Sequence, residues 1–575
     1  MDEFFRPGGL MEQAGAAEDF PFEVRPQQRQ MALAIAEAIE NERHLAVEAG
    51  TGVGKSFAYL VPLILAAKMR SVQVVVSTYT IGLQEQLIQK DIPFLHRHLG
   101  VDFKAVLVKG RSNYLCLRRL ARAEQMSGDL FRGDQSAELE RLREWSRVTK
   151  DGSLQELHDQ PSHEVWSAVN TEYGNCLGHR CPEFKNCFFF KARREIADAD
   201  LLIVNHHLFF SDLALRRQKA AILPETSIVV MDEAHMIESV ASDHLGLRLS
   251  QYQFEHWLRR LYIAETNKGI LAKLKSGEGA HTAVLIYEEI ARFFSAVREW
   301  AQLGRNKKQQ TVSSPIPLET SLPALIKQLN SIVRIIHDEQ RDLDIRAELA
   351  AARRRGEEIM QALEAFMQQA LSDSVYWVAL EGSRRPQTVL YSAPIEVAPL
   401  LSENLFEAMK CVITTSATLA VDGRLDYFIH RVGALECDIE QVGSPFDYAS
   451  QMKVLIPKGM PDPSDAKAYT TATAHAVQHF VRLTQGRAFV LFTSDRMMRG
   501  VAGLLREELL QEDYELLVQG DGLPRSAMLD RFRKGVKSVL FGLDSFWMGV
   551  DVRGEALSNV IITKLPFAVP DEPPS

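Results

Sequence analysis

Long apolar runs are the first thing this sequence lacks. The longest uncharged apolar stretch in its opening hundred residues, Phe57 to Ala67, lies between Lys55 and Lys68. It falls well short of the roughly 20 residues a membrane-crossing helix needs. The opening Met1-Asp2-Glu3-Phe4-Phe5-Arg6 has no basic segment leading into an apolar one. No secretory signal is visible, and cytoplasmic residence is expected. An excess of one charge is missing too. A net charge of −9 gives no global field to attract nucleic acid, so any such contact must come from local basic patches. Cysteine is scarce, with six residues in 575, too few for a disulfide scaffold. At 46% apolar and 25% charged, the composition is that of an ordinary globular protein. Disordered, collagen-like and rod-like chains are excluded, and the length suggests about three or four domains.

What is present is a recurring alternation. Short apolar runs separate helical stretches: Leu45–Glu48, Val72–Ser77, Leu201–Val204, Ile228–Met231, Val412–Thr415, Arg487–Phe492, Ser538–Phe541 and Val560–Thr563. Fully apolar strands alternating with helices predict α/β architecture, with parallel sheets covered on both faces. Two stretches break the pattern and read as insertions into the first α/β unit. Residues 109–195 hold four cysteines and charged helices. Residues 246–375 read as almost wholly helical, with Leu325, Leu329, Ile332, Ile336 and Leu343 on one face and Ile359, Leu363 and Phe366 on another. The first unit then comprises residues 1–108, 196–245 and 376–424. The second covers 425–575, with Pro457 to Pro463 as a loop inside it.

The strongest motif is Ala49-Gly50-Thr51-Gly52-Val53-Gly54-Lys55-Ser56, between a predicted strand and a predicted helix. Glycines there let backbone N–H groups face phosphates at a helix N-terminus. Lys55 would reach the β/γ-phosphates and the Ser56 hydroxyl would bind Mg²⁺. Asp232-Glu233-Ala234-His235 ends the apolar strand Ile228–Met231. There Asp232 would hold Mg²⁺, and Glu233 would orient and deprotonate the attacking water. Together they predict Mg²⁺-dependent nucleoside triphosphate hydrolysis, with Lys55, Asp232 and Glu233 catalytic.

Cys116, Cys176, Cys181 and Cys187 form a second constellation. Four thiolates suit tetrahedral Zn²⁺ or a [4Fe–4S] cluster, and the spacing alone leaves both open, along with uncoordinated thiols. Six basic residues and no acid lie between Lys104 and Arg122, and Phe188-Phe189-Phe190-Lys191-Ala192-Arg193-Arg194 follows the last cysteine. Phosphate neutralisation beside aromatic stacking is the chemistry of a single-strand path. Arg353-Arg354-Arg355 reads as a solvated helix face, and Cys411 as a core thiol.

These residues resemble the DinG/XPD-type iron–sulphur superfamily 2 DNA helicases, in their bacterial DinG/YoaA branch, over nearly the whole chain. Phe22 to Met31 resembles the Q motif, which implies that Arg25 and Gln28 join Gly50, Thr51, Gly52, Val53, Gly54, Lys55 and Ser56 in binding ATP, with Gln28 at the adenine edge. Val75 to Thr80 resembles motif Ia, Thr414 to Leu419 motif III, and Ser545 to Asp551 motif V, with Met548 where relatives usually carry Glu. Gly443-Ser444-Pro445-Phe446, Lys564-Leu565-Pro566-Phe567 and Asn205-His206-His207-Leu208-Phe209 match further landmarks.

The resemblance implies two RecA-like motor domains, with an Fe–S domain and a helical arch domain inserted in the first. It implies ATP, Mg²⁺ and a [4Fe–4S] cluster on Cys116, Cys176, Cys181 and Cys187. Contacts to DNA are expected from Thr78, Tyr79, Lys109, Arg111, Asn113, Tyr114 and Arg193, and coupling from His235, Ser416, Thr418, Gly549 and Asp551. The expected activity is ATP-dependent 5′→3′ DNA unwinding on single-stranded, forked or duplex DNA in repair or replication, with no membrane partner. Motif VI, with its charge-stabilising arginines, does not occur before Ser575, and no nuclease module precedes the Q motif. A truncated chain is therefore expected, with doubtful turnover. The alternative is an ATP-gated Fe–S DNA-binding module that does not unwind.

Overall fold

The computed structural model describes residues 2–17, 23–125, 134–157, 159–216, 221–304, 307–382, 386–548, 550, 552 and 554–567. They fall into two units. One runs from the N-terminus to Tyr79 and from Gln84 to Pro445, and the other comprises Thr80–Leu83 and the described residues from Phe446 onward.

The first unit is built on seven parallel strands in the order Cys437–Val442, His44–Ala49, Cys411–Ser416, Ile228–Asp232, Val74–Thr78, Leu201–Asn205 and Ala105–Leu107. Side chains alternate across the sheet. Val74 and Val76 enter one core with Tyr59, Leu60 and Ile64 of the helix Lys55–Arg70, while Val75 enters the other with Phe209, Ile237 and Leu405. Burial on both faces is why these strands read as unbroken apolar runs.

Two edge strands escape the sequence reading. Ala105–Leu107 is only three residues long, and Cys437–Val442 alternates polar and apolar residues because it lies at the rim. The second corrects a boundary. It pairs with His44–Ala49 along its whole length, so the first unit extends past residue 424 to Pro445.

The stretch from 246 is also corrected. Its helices Gln251–Leu261, Gly277–Trp300, Leu322–Glu339 and Leu343–Met367 pack with an antiparallel sheet. The strands run in the order Leu247–Ser250, Gln387–Pro394, Ser374–Glu381 and Gln309–Thr311. Tyr376, Val378 and Leu390 share its core, which carries this subdomain beyond residue 375. Ile359, Leu363 and Phe366 are buried as expected, but the face of Leu322–Glu339 is rotated. Leu322, Ile326, Leu329 and Val333 are buried, and Leu343 opens the next helix, half-exposed.

The second unit contains a parallel sheet in the order Glu515–Val518, Ser538–Gly542, Ala488–Leu491 and Asn559–Ile562. The helices Ala466–Leu483, Asp495–Gln511 and Arg525–Lys534 pack on it. Among the described residues no helix is long and apolar enough to cross a membrane.

Candidate functional site

The strand His44–Ala49 runs directly into the glycine loop. Gly52 and Gly54 have φ of 86° and 85°, a left-handed backbone that glycine adopts without strain. The loop is clasped from behind. Arg25 Nη1 donates to the Gly52 carbonyl at 2.5 Å, and Gln28 Nε2 to the Gly54 carbonyl at 2.9 Å. A Cβ on Gly54 would lie 2.2 Å from Gln28 Nε2. Gln28 is thus buried, with its amide donating to the loop. Ser444 closes the other side. Its Oγ donates to the Thr51 carbonyl at 3.1 Å, and its Cα would stand 3.1 Å from a Cβ on Gly50. Val53 is buried beneath the loop.

Asp232 ends the apolar strand Ile228–Asp232, one strand removed across Cys411–Ser416, and is almost wholly buried. Its Oδ2 accepts from the Tyr59 hydroxyl at 3.2 Å and Thr78 Oγ1 at 3.5 Å, and its Oδ1 accepts from the Glu233 N–H at 3.0 Å. Tyr59 also meets Ser56, so one hydroxyl spans the two side chains expected to share Mg²⁺. Burial and the adjacent Glu233 push the Asp232 carboxyl up to about 7, against the pull of Lys55. Glu233 sits in the left-handed region at φ 54°, a strained backbone for a residue with a Cβ. Its carboxylate lies 3.8 Å from Lys55 Nζ and 3.4 Å from His235 Nδ1. His235 Nδ1 also meets Ser416 Oγ at 2.8 Å. The structure therefore brings Lys55, Ser56, Asp232, Glu233, His235 and Ser416 together.

Two members of this cluster escape the sequence reading. Tyr59 looks like one more apolar residue of its helix. Glu48 accepts the backbone N–H groups of Leu419 and Ala420 at 2.6 and 2.5 Å, so the strand feeding the glycine loop grips the turn after Thr418. Its signal was a charged residue ending an otherwise apolar strand. Gly549 and Asp551 lie outside the described residues.

Cys116, Cys176, Cys181 and Cys187 line one small pocket of about 20 Å³, with Phe184 and Phe190 in its wall. Among the described residues no three His, Cys, Asp or Glu side chains converge closely enough to hold a single metal ion. Burial raises the Cys181 and Cys187 thiols, and backbone N–H groups at Glu183 and Phe190 oppose it. Such N–H groups favour the thiolate form that a cluster needs. Cys411 is a buried core thiol, pushed up to about 12.

The basic surroundings are used differently from expectation. Arg118 and Arg119 are buried and tie the cysteine region to the helical subdomain. Arg118 pairs with Asp344 at 2.8 Å, and Arg119 lies 3.8 Å from Glu172 and 3.9 Å from Glu348. Arg260 pairs with Glu172 and, at 2.7 Å, with Glu348, which also accepts from Asn175 at 2.7 Å. Thr78 and Tyr114 are corrections as strand contacts, because both side chains are buried. Lys109 is spent on Asp151 and Ser153 at 2.5 and 2.6 Å, and Arg193 on the Ile222 carbonyl. Phe188 and Phe189 pack inward. Tyr79, Arg111 and Asn113 keep partial exposure, with the Arg111 guanidinium 4.0 Å above the Phe189 ring. Of the three arginines at 353–355, two pair along their own helix with Glu357 and Glu358, and Arg354 stacks on Tyr173.

Family models for a DEAD/DEAH box helicase match residues 25–128, DEAD_2 matches 85–254, and a helicase C-terminal domain matches 477–575. The chain is 33% identical over 563 residues to a Haemophilus influenzae protein named ATP-dependent DNA helicase YoaA, covering 96% of this chain and 83% of that one. It is 32% identical to the Escherichia coli protein of the same name, covering 100% and 86%. Among solved structures, one titled XPD helicase superposes with a TM-score of 0.53 at 14% identity, covering 95% of this chain and 86% of that one. That likeness speaks for the fold: the α/β architecture expected from the strand pattern, in the RecA-like form the resemblance implied.

Proposed function

The chain belongs to the YoaA/DinG branch of the DinG/XPD-type superfamily 2 helicases, the ATP-dependent DNA helicases, and from that premise we propose how it works. It hydrolyses Mg·ATP to step 5′→3′ along single-stranded DNA, in repair or replication, and acts on forked or duplex DNA. The observation carrying the hydrolytic half is the convergence of Lys55, Ser56, Asp232 and Glu233 at the ends of adjoining segments, with the Tyr59 hydroxyl between Ser56 and Asp232. Ser56 and Asp232 would hold Mg²⁺, which when bound would supply positive charge against the phosphates. Gly50 to Gly54 offer backbone N–H groups to the phosphates, and Lys55 adds charge beside them. Glu233 holds the attacking water and takes its proton, with Lys55 and His235 flanking its two oxygens.

Cys116, Cys176, Cys181 and Cys187 fit a [4Fe–4S] cluster, which would staple the cysteine region as a structural group. Tyr79, Arg111 and Asn113 contribute to the strand path. His235–Ser416 and the Glu48 grip on residues 419–420 support coupling between the nucleotide and that path.

ATP turnover with and without single-stranded DNA tests the reading. Wild-type turnover should rise with DNA and collapse in Lys55→Ala, and duplexes with a 5′ tail should be opened in preference to those with a 3′ tail. Turnover unchanged in Lys55→Ala, or displacement favouring the 3′ tail, refutes the corresponding half.

A further inference from the structure

Besides the cysteines, four polar side chains line the thiol pocket: Arg118, Thr171, Glu172 and Asn175. Three of them are spent elsewhere. Arg118 gives Nη1 to Asp344 at 2.8 Å, and Nη2 to the Asn175 carbonyl and side-chain oxygens at 2.5 and 2.8 Å. Asn175 donates its amide to Glu348, and Glu172 accepts from Arg260. The Thr171 hydroxyl alone is uncommitted. Thr171 is 3% exposed, and its Oγ1 is enclosed without a hydrogen-bond partner. Buried hydroxyls are seldom left so, because an unpaired one forfeits its hydration for nothing. The backbone fixes where this one stands. The Thr171 N–H donates to the Tyr114 carbonyl at 2.7 Å and the Cys116 N–H to the Val169 carbonyl at 2.8 Å, around an antiparallel bridge between Leu115 and Asn170. Side chains alternate across such a pair, so Thr171 shares a face with Cys116 as its diagonal neighbour.

We propose that Thr171 is a tuning residue of the thiol pocket: its hydroxyl donates to a sulphur on the Cys116 side of the [4Fe–4S] cluster and favours the cluster's more reduced states. The inference rests on the cluster assignment given above. Each electron added to such a group deepens the negative charge on its sulphurs, and a buried donor beside them favours the reduced partner of every one-electron couple. Zn²⁺ on the same four thiolates has no redox chemistry for a hydroxyl to tune. With the donor in place the resting cluster is easier to reduce and harder to oxidise. For a group that staples the cysteine region, resistance to oxidation is resistance to losing the staple.

Thr171→Val keeps the shape of the side chain and removes the donor, and Thr171→Ser keeps the donor. Iron, acid-labile sulphide and zinc are measured first in the full chain purified without air, and both variants should match wild type. The one-electron reduction constant, read in a redox titration followed by electron paramagnetic resonance, should fall about tenfold in Thr171→Val, a midpoint lower by about 59 mV. In Thr171→Ser it should stay within about threefold of wild type. Bleaching of the cluster's visible absorbance in air should be faster in Thr171→Val alone. The proposal is overturned if, at full iron content, Thr171→Val leaves the constant within about twofold of wild type or raises it, or if Thr171→Ser moves it as far. Should Thr171→Val lose its iron, Thr171→Ala carries the same titration. Loss of iron from both overturns the proposal, since the hydroxyl then serves the folding of the pocket. A wild-type protein holding zinc or no metal refutes the cluster assignment itself, a result distinct from all of these.

Discussion

Glu348 offers a quantitative test of how the cysteine region is joined to the helical subdomain. It is almost wholly buried, and burial by itself would raise its carboxyl. Arg260, Arg119 and the Asn175 amide overcome that and hold it at about 2, against an ordinary 4.5. At about 1.4 kcal/mol per pH unit, that difference makes the ionised form worth about 3 kcal/mol to the fold. Because the folded value is depressed, this stability is fully present above pH 4.5 and is lost as pH falls through about 2. Glu348→Gln keeps the size and an acceptor for Asn175 but removes the charge facing Arg260 and Arg119. Breaking a buried pair from one side typically costs about 3–5 kcal/mol, in line with the 3 kcal/mol above. Local opening should become roughly 100-fold more frequent. Hydrogen exchange at neutral pH should therefore accelerate by about that factor in Gln251–Leu261 and Leu343–Met367, while Val74–Thr78 in the first sheet is unchanged. The acid-induced loss of protection between pH 4.5 and 2 should shrink in the variant. Protection equal to wild type in both helices would refute the network as a structural joint.

Gly54→Ala places a methyl where φ is 85° and Gln28 Nε2 would be 2.2 Å away. It should weaken nucleotide binding by more than about tenfold in a fluorescent-nucleotide titration, since the left-handed backbone alone costs about 1–2 kcal/mol. Asp232 predicts a pH effect of the opposite sign to Glu348. A carboxyl raised to about 7 keeps its proton in the metal-free fold where the unfolded chain, at 3.8, has lost it. Metal-free stability should fall as pH rises from about 4 to 7, and Mg²⁺ should bind more weakly below pH 7 with proton release, seen by calorimetry in buffers of different ionisation enthalpy. Cys181→Ser should abolish the iron and acid-labile sulphide of the purified protein, and retention of both would exclude that cysteine as a ligand.

Most of both parallel sheets was legible because their inner strands are buried on two faces and leave an unbroken apolar signature. Cys437–Val442 was hidden by its rim position, and the antiparallel strands from Leu247 to Pro394 by mixed polarity. The glycine loop and acidic box were legible because few residue types do that chemistry. Tyr59 and Glu48 were not, since each meets a partner brought from elsewhere: Asp232 and the 419–420 backbone. Positive charge near Cys116 misled for a related reason. Arg118 and Arg119 look like a phosphate-binding surface until Asp344 and Glu348, more than two hundred residues away, fold against them.

The strand that carries the glycine loop has both its neighbours, Cys411–Ser416 and Cys437–Val442, in the last third of the chain. During synthesis at about 5–20 residues per second, the roughly 390 residues from Ala49 to Cys437 take about 20 to 80 s to appear. All four pocket cysteines have emerged long before that, the last at residue 187. The order of assembly is thus written into the strand order. A nascent chain has its four thiols while its nucleotide loop still hangs from an unflanked strand, so the loop is seated in its sheet only once the chain past residue 437 has emerged.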